Sequence, residues 1–358
     1  MLRTVLRWTA GIIGLIALMV AVYAMSLQPH APPLRGNADT DVAGGVATLE
    51  RVTLNGVPQW ISVRGRSATL PVLLYLSGGP CGSEMAWMRH YHAVLERHFL
   101  VVNWDQRCAG KSYSVANWDH LALSDLVSDA GVLIDTLLRR YAQDKLWLVG
   151  NSWGSMMGAR VAARWPQKLH AYVGATQQVS VQETDSLGWA LTLEAARRGA
   201  RPKDVEALEA LGPPPYPRER FVRSYFSLIN FQNRYGGTPR ANAAASGQLR
   251  VALTAPEYGA LDRVHWMWSL KRGWETLYWR LAQEGLDFER EIPVLEVPVY
   301  LLLGRRDLVV PPTLAERWLA RLNAPRKEIV WFDGAGHALM VSEAAAIDSF
   351  LISLLSPS

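Results

Sequence analysis

Residues 145–155 read Lys-Leu-Trp-Leu-Val-Gly-Asn-Ser-Trp-Gly-Ser, and few backbones can carry that order. Leu146 to Val149 is an apolar run of buried-strand length, and beyond Gly154 the residues Met156, Met157, Val161 and Ala162 follow helical spacing. A serine between two glycines at such a junction predicts a sharp, strained turn that lifts the Ser152 hydroxyl clear of a sheet. Gly150 and Gly154 suit the turn because it leaves no room for side chains. The N-terminus of the following helix adds positive potential where negative charge would develop. At about 7% glycine usage a serine is flanked this way by chance roughly once in 200. The strand before it and the helix after it are what make the match informative.

Apolar segments on both sides of this turn extend the pattern. Residues 46–54 and 57–63 read as two strands around the hairpin signal Asn55-Gly56, with Pro58 suggesting an edge position. Residues 72–76, 99–102, 171–174, 297–303 and 328–332 read as further short strands, most of them apolar throughout. Helical spacing appears over 126–141, with Ser124 placed to cap it, and over 344–355. Another helix begins near Thr313, where Glu316 fits a capping box. Buried strands alternating with helices predict an α/β fold with a mostly parallel central sheet flanked by helices. The expected core spans 46–176 and 291–358. Between them, 177–290 loses the alternation, is broken at Gly212-Pro213-Pro214-Pro215, and is rich in aromatic residues. It reads as an inserted helical cap whose aromatics mostly form its own core, a minority lining a pocket against the sheet.

At the amino terminus, residues 8–27 carry no charge and follow Arg3 and Arg7. Twenty residues at about 1.5 Å rise cover a hydrocarbon core of about 30 Å. Residues 1–27 therefore read as a transmembrane anchor, or alternatively as a signal segment cleaved after Ala24. In either case the arginines stay cytoplasmic and the catalytic part is exported, tethered by a linker over 28–45. Its 37 basic and 32 acidic residues are interspersed, so no nucleic-acid footprint is expected. The two cysteines match no zinc or redox spacing, and the chemistry below calls for no metal or organic cofactor.

A serine hydroxyl is a poor nucleophile until a base takes its proton, and the base needs an orienting carboxylate. Two loops after late strands supply these groups: Gly304-Arg305-Arg306-Asp307 and Gly334-Ala335-Gly336-His337. Of eight histidines, His337 alone follows a late strand in a glycine-rich loop. Asp333, the rival acid, belongs to the histidine's own loop and is awkwardly placed to reach the ring. An oxyanion hole needs two backbone N–H donors. Trp153, next after the serine, is one, and the loop 77–82 supplies the other through Gly79, since Pro80 has no donor.

Ser77-Gly78-Gly79-Pro80, Asp105-Gln106-Arg107 with Gly110 and Ser112, Gly150-Asn151-Ser152-Trp153-Gly154-Ser155, Asp307 and Gly336-His337 together resemble the prolyl aminopeptidase branch of the α/β hydrolases. The resemblance spans roughly 46–357. It implies a serine hydrolase that removes an N-terminal residue from small peptides, and it departs from the family in two loops. The family reads His-Gly-Gly-Pro-Gly where this chain has Ser77 and Cys81 at the ends, and Asp-Gln-Arg-Gly where it has Cys108. Those loops pack together in the family's fold, which implies a Cys81–Cys108 disulfide, two free cysteines being the alternative. An aminopeptidase also needs cap carboxylates to hold the substrate's ammonium group. Glu183, Glu194 and Glu275 are the candidates, with Asp185 and Asp262 behind them.

The sequence thus supports an exported serine hydrolase acting through Ser152, His337 and Asp307. Small peptides are the expected substrates, with a membrane-tethered esterase of apolar acyl groups as the alternative. A catalytically silent binding protein would show damage in these motifs. Chemistry that needs an aspartate at the turn is excluded by Ser152. Nothing in the sequence bears on oligomeric state.

Overall fold

The computed structural model describes residues 8–9, 11–16, 18–19, 28–34 and 42–356. Eight strands form one sheet in the order β1-β2-β4-β3-β5-β6-β7-β8: β1 Val46–Leu54, β2 Val57–Gly65, β3 Val72–Leu76, β4 Leu100–Asp105, β5 Leu146–Asn151, β6 Leu169–Ala175, β7 Val299–Gly304 and β8 Lys327–Phe332. β1 and β2 run antiparallel, as does the β2–β4 pair, and every pairing from β4 to β8 is parallel. The inner parallel strands β3 and β7 are apolar throughout because both faces are covered. Successive side chains leave a strand on opposite faces. Leu74 and Leu148 accordingly pack with Leu126 and Met156 on one side, while Leu73 and Val149 pack with Leu339 and Ile347 on the other.

Three local expectations are corrected. β2 is an interior strand, yet it tolerates Pro58 because its pairing with β4 begins only at Trp60. Ser124 lies inside the helix Leu123–Arg140, where the Asp125 carboxylate instead accepts the Ala122 N–H at 2.9 Å. The helix Pro312–Arg321 starts on prolines at 311 and 312 without a side-chain cap, so the Thr313–Glu316 box does not form. A proline in the first turn removes a donor that a cap would otherwise satisfy.

Between β6 and β7 the described chain is helical, from Val181–Arg198 to Phe288–Glu291, and caps the sheet. Many of its aromatics pack on one another, with Tyr216, Phe221, Tyr225, Trp274 and Tyr278 in one cluster, and Asp185 is buried beside it. Asp185 accepts from the Tyr225 and Tyr278 hydroxyls, and burial outweighs these bonds to push its carboxyl up to about 7.

The expected anchor over 1–27 lies largely outside the described residues. Those described between 8 and 19 are helical, with Trp8, Ile12, Ile13 and Leu15 exposed. Among the described residues no helix is long and apolar enough to cross a membrane. Within the expected linker, residues 28–34 are fastened to the body. The His30 N–H donates to the Pro256 carbonyl at 2.9 Å, Arg64 donates to the Pro32 carbonyl at 2.5 Å, and Leu34 is buried.

Candidate active site

Ser152 stands between β5 and the helix Trp153–Arg164 with φ 51° and ψ −113°, a conformation that L residues rarely adopt. The turn holds it there: its N–H donates to the Ala175 carbonyl at 2.9 Å, and its carbonyl accepts the Ser155 N–H at 2.9 Å. Space explains the flanking glycines. A Cβ on Gly150 would lie 2.3 Å from the Gly154 carbonyl oxygen, and one on Gly154 would lie 2.0 Å from that of Leu76.

Loops after β7 and β8 bring Asp307 and His337 together. His337 Nδ1 lies 2.9 Å from Asp307 Oδ2, while Asp307 Oδ1 accepts the Val309 and Val310 N–H groups at 2.9 Å each. The buried carboxylate is an acceptor, so Nδ1 carries the proton and Nε2 is left free to accept one. Burial acts to lower the His337 pKa, but Asp307 and, less strongly, Glu84 outweigh it and hold the ring above its ordinary value. Asp333 is exposed and pairs with Arg305 at 2.7 Å, which leaves orientation of the ring to Asp307.

Ser152 and His337 line one cavity of about 460 Å³, with Gly79 on its wall and apolar groups from Trp87, Trp266, Met267 and Leu270. Trp153 begins a helix, so its N–H has no partner within that helix. Gly79 has φ 155°, and a Cβ there would lie 2.5 Å from the Gly82 nitrogen. Its loop is braced from outside. Cys81 and Cys108 form a disulfide with Cα atoms 5.2 Å apart. Asp105 accepts from Ser83, Trp266 Nε1 donates to the Ser83 carbonyl at 2.9 Å, and Arg107 bonds Asp129 through two contacts of 2.6 Å. Burial raises the Asp105 carboxyl to about 6 against the Ser83 and Tyr258 hydroxyls and the Lys111 N–H that donate to it.

The cap acids singled out from sequence lie elsewhere. Glu183 pairs with Arg317, Glu194 with Arg198, and Glu275 with Lys271 and Arg272, on helix surfaces away from the cavity lining. Asp262 pairs with Lys111, and Asp185 is enclosed in the cap. The carboxylate that does line the cavity is Glu84, which the sequence reading missed. It accepts from the Tyr75 hydroxyl at 2.5 Å and from Asn151 Nδ2 at 2.9 Å. Its pKa is raised by burial despite those donors. The available signal was its place two residues beyond the Gly-Gly-Pro-Cys-Gly loop. Nothing local distinguishes such an acid from a surface one.

A serine, a histidine held by a buried carboxylate, and amides beside a largely apolar cavity together can attack a carbonyl and hold the oxyanion that results. Residues 71–344 match the family described as alpha/beta hydrolase fold. The chain is 28% identical over 305 residues to the probable aminopeptidase YbaC of Bacillus subtilis (strain 168), an alignment covering 83% of this chain and 93% of that protein. Among solved structures, a proline iminopeptidase-related protein from Thermus thermophilus matches with a TM-score of 0.61 at 21% identity, covering 87% of this chain and 97% of that one. A membrane phospholipase A described as a bacterial virulence factor matches at 0.59 and 20%, covering 98% and 97%. At such identities the two structures speak to the fold alone. With the family match spanning most of its length, the chain belongs to the α/β-hydrolase family and is a hydrolase.

Proposed function

We propose that the protein is a serine hydrolase that works through an acyl-enzyme and removes N-terminal residues from small peptides. The observation that carries the chemistry is the Asp307–His337 pair opening onto the same cavity as the strained Ser152. His337 Nε2 takes the Ser152 proton as Oγ attacks the carbonyl, and the amides of Gly79 and Trp153 receive the negative charge on its oxygen. The histidine then protonates the leaving amine, and water activated by the same ring releases the acyl group. Kinship to a protein named as a probable aminopeptidase supports the peptide substrate. The apolar walls at Trp87, Trp266, Met267 and Leu270 favour a second reading, an esterase of apolar acyl groups.

The localisation proposed with this function is a membrane tether through residues 1–27, with the hydrolase on the extracytoplasmic side; secretion after cleavage is the alternative. The uncharged stretch 8–27 behind Arg3 and Arg7 supports it.

Comparing a proline arylamide with a short-chain nitrophenyl ester tests the substrate, with Ser152→Ala as the blank. Arylamide turnover that requires a free amino terminus and vanishes in the variant is the expected result. Ester turnover alone would move the assignment to the esterase.

A further inference from the structure

Eight carboxylate side chains are buried among the described residues. Five meet a cationic or histidine side chain: Asp129 with Arg107, Glu96 with Arg64, Glu257 with Arg89, Asp348 with His92 and Asp307 with His337. Three do not. Asp105 is satisfied by Ser83, Tyr258 and the Lys111 N–H, and Asp185 by two tyrosines, and neither lines the cavity. Among the described residues Glu84 is the only acid that lines the cavity beside Ser152. Burying a carboxylate that forms no ion pair is unfavourable, and burial raises its pKa although its donors and the nearby His337 act to lower it. A cation entering the cavity would remove that penalty.

We propose that Glu84 is the site that receives the free α-ammonium group of the substrate. The idea deepens the peptidase reading above and rests on it. Asn151 Nδ2 touches both Glu84 oxygens, at 2.9 and 3.2 Å, and Asn151 is the residue next to Ser152. Its own Oδ1 accepts from Thr176 at 3.1 Å, which fixes the amide's orientation. Tyr75, Asn151 and the Gly78 N–H hold the carboxylate in place on the cavity wall, beside the neighbour of the serine, where an entering ammonium would meet it. Distance then selects the bond that is cut. An α-nitrogen sits two bonds, roughly 2.5 Å, from the carbonyl carbon of its own residue. An anchor tied to the neighbour of the nucleophile therefore suits release of a single N-terminal residue better than release of a longer fragment. The cap glutamates, paired on the outside, leave this role open.

The test measures kcat and KM of the wild type and of Glu84→Gln on alanine and proline nitroanilides and on a nitrophenyl ester lacking an amine. A hydrogen bond to a charged group supports an expected fall of about 10- to 100-fold in the ratio of free-amine to amine-less kcat/KM, carried chiefly by KM. An unchanged ratio would overturn the proposal, whether both activities fall together or neither does. Glu84→Asp, which keeps the charge, should restore part of the ratio. Inhibition of wild-type ester hydrolysis by prolinamide and by N-acetylprolinamide covers the case in which neither variant folds. The free amine should inhibit at least ten times better, and equal inhibition would count against the anchor. These arms separate the two ideas. Amine-selective inhibition lost in Glu84→Gln, with no arylamide turnover by the wild type, removes the peptidase reading and keeps the anchor. Arylamide turnover with an unchanged ratio does the reverse.

Discussion

At the scale of residues, the arrangement around His337 sets its own pH dependence. The ring must be neutral at Nε2 to accept a proton, and its pKa stands above the ordinary 6.5 because Asp307 and Glu84 outweigh the effect of burial. Activity should therefore rise with pH along an acid limb whose midpoint lies above 6.5. Asp307→Asn removes the larger favourable charge and replaces an acceptor-only group by an amide that can also donate, so the Nδ1 proton is no longer fixed. Its plateau rate should fall by about 10³- to 10⁴-fold, and its acid limb should move to lower pH. A pH–rate profile of both proteins checks this, and a limb that stays in place would detach Asp307 from the histidine. These residues were legible in sequence because each sits in a short loop beside a strand that reads clearly. Glu84 was not, because only tertiary packing of β3 and β5 sets its carboxylate against Tyr75 and Asn151.

At the scale of elements, the loop 77–84 and the segment after β4 behave as one braced unit. Gln106 bridges them, reaching the Ser77 carbonyl at 3.5 Å and accepting from Trp153 Nε1 at 3.4 Å. The Cys81–Cys108 disulfide closes a stretch 27 residues apart in sequence. Restricting such a loop in the unfolded chain stabilises by about 3–4 kcal/mol in the chain-entropy model. The double variant Cys81→Ala/Cys108→Ala should lose stability of that order in denaturant unfolding. It should also lose turnover at temperatures where the unaltered protein is still active, because the Gly79 amide rides on the same loop. Two free thiols on denatured, unreduced protein would remove the argument. Parallel strands such as β3 and β7 were readable as uninterrupted apolar runs. Helix starts were less so: Ser124 and Thr313 look like caps in sequence. Which residue actually begins a helix depends on the chain entering it, at Ala122 in one case and Pro311 in the other.

At the scale of the molecule, residues 28–34 run against the start of one cap helix. The helix Ala260–Gly273 contributes Trp266, Met267 and Leu270 to the cavity wall, while Leu261, Val264 and Trp268 remain exposed on it. Lys271 lies over the Trp268 ring at 5.2 Å from its centroid. Residues 28–34 run against this region, through the His30 N–H bond to Pro256. An anchor formed by residues 1–27 would thus leave the body beside the cap rather than at the end of a long free tether. Apolar and aromatic side chains bordered by lysine are suited to a lipid headgroup boundary. The full chain, expressed in bacteria, should sediment with membranes and resist extraction by high salt and carbonate. Deletion of residues 1–27 should move it to the soluble fraction with its hydrolase activity retained. Protease added to spheroplasts should reach the catalytic domain of the full chain if it faces outward. Recovery of the full chain in the soluble periplasmic fraction, shortened to begin near Met25, would establish cleavage in place of anchoring. Protection from the protease in intact spheroplasts would overturn export altogether.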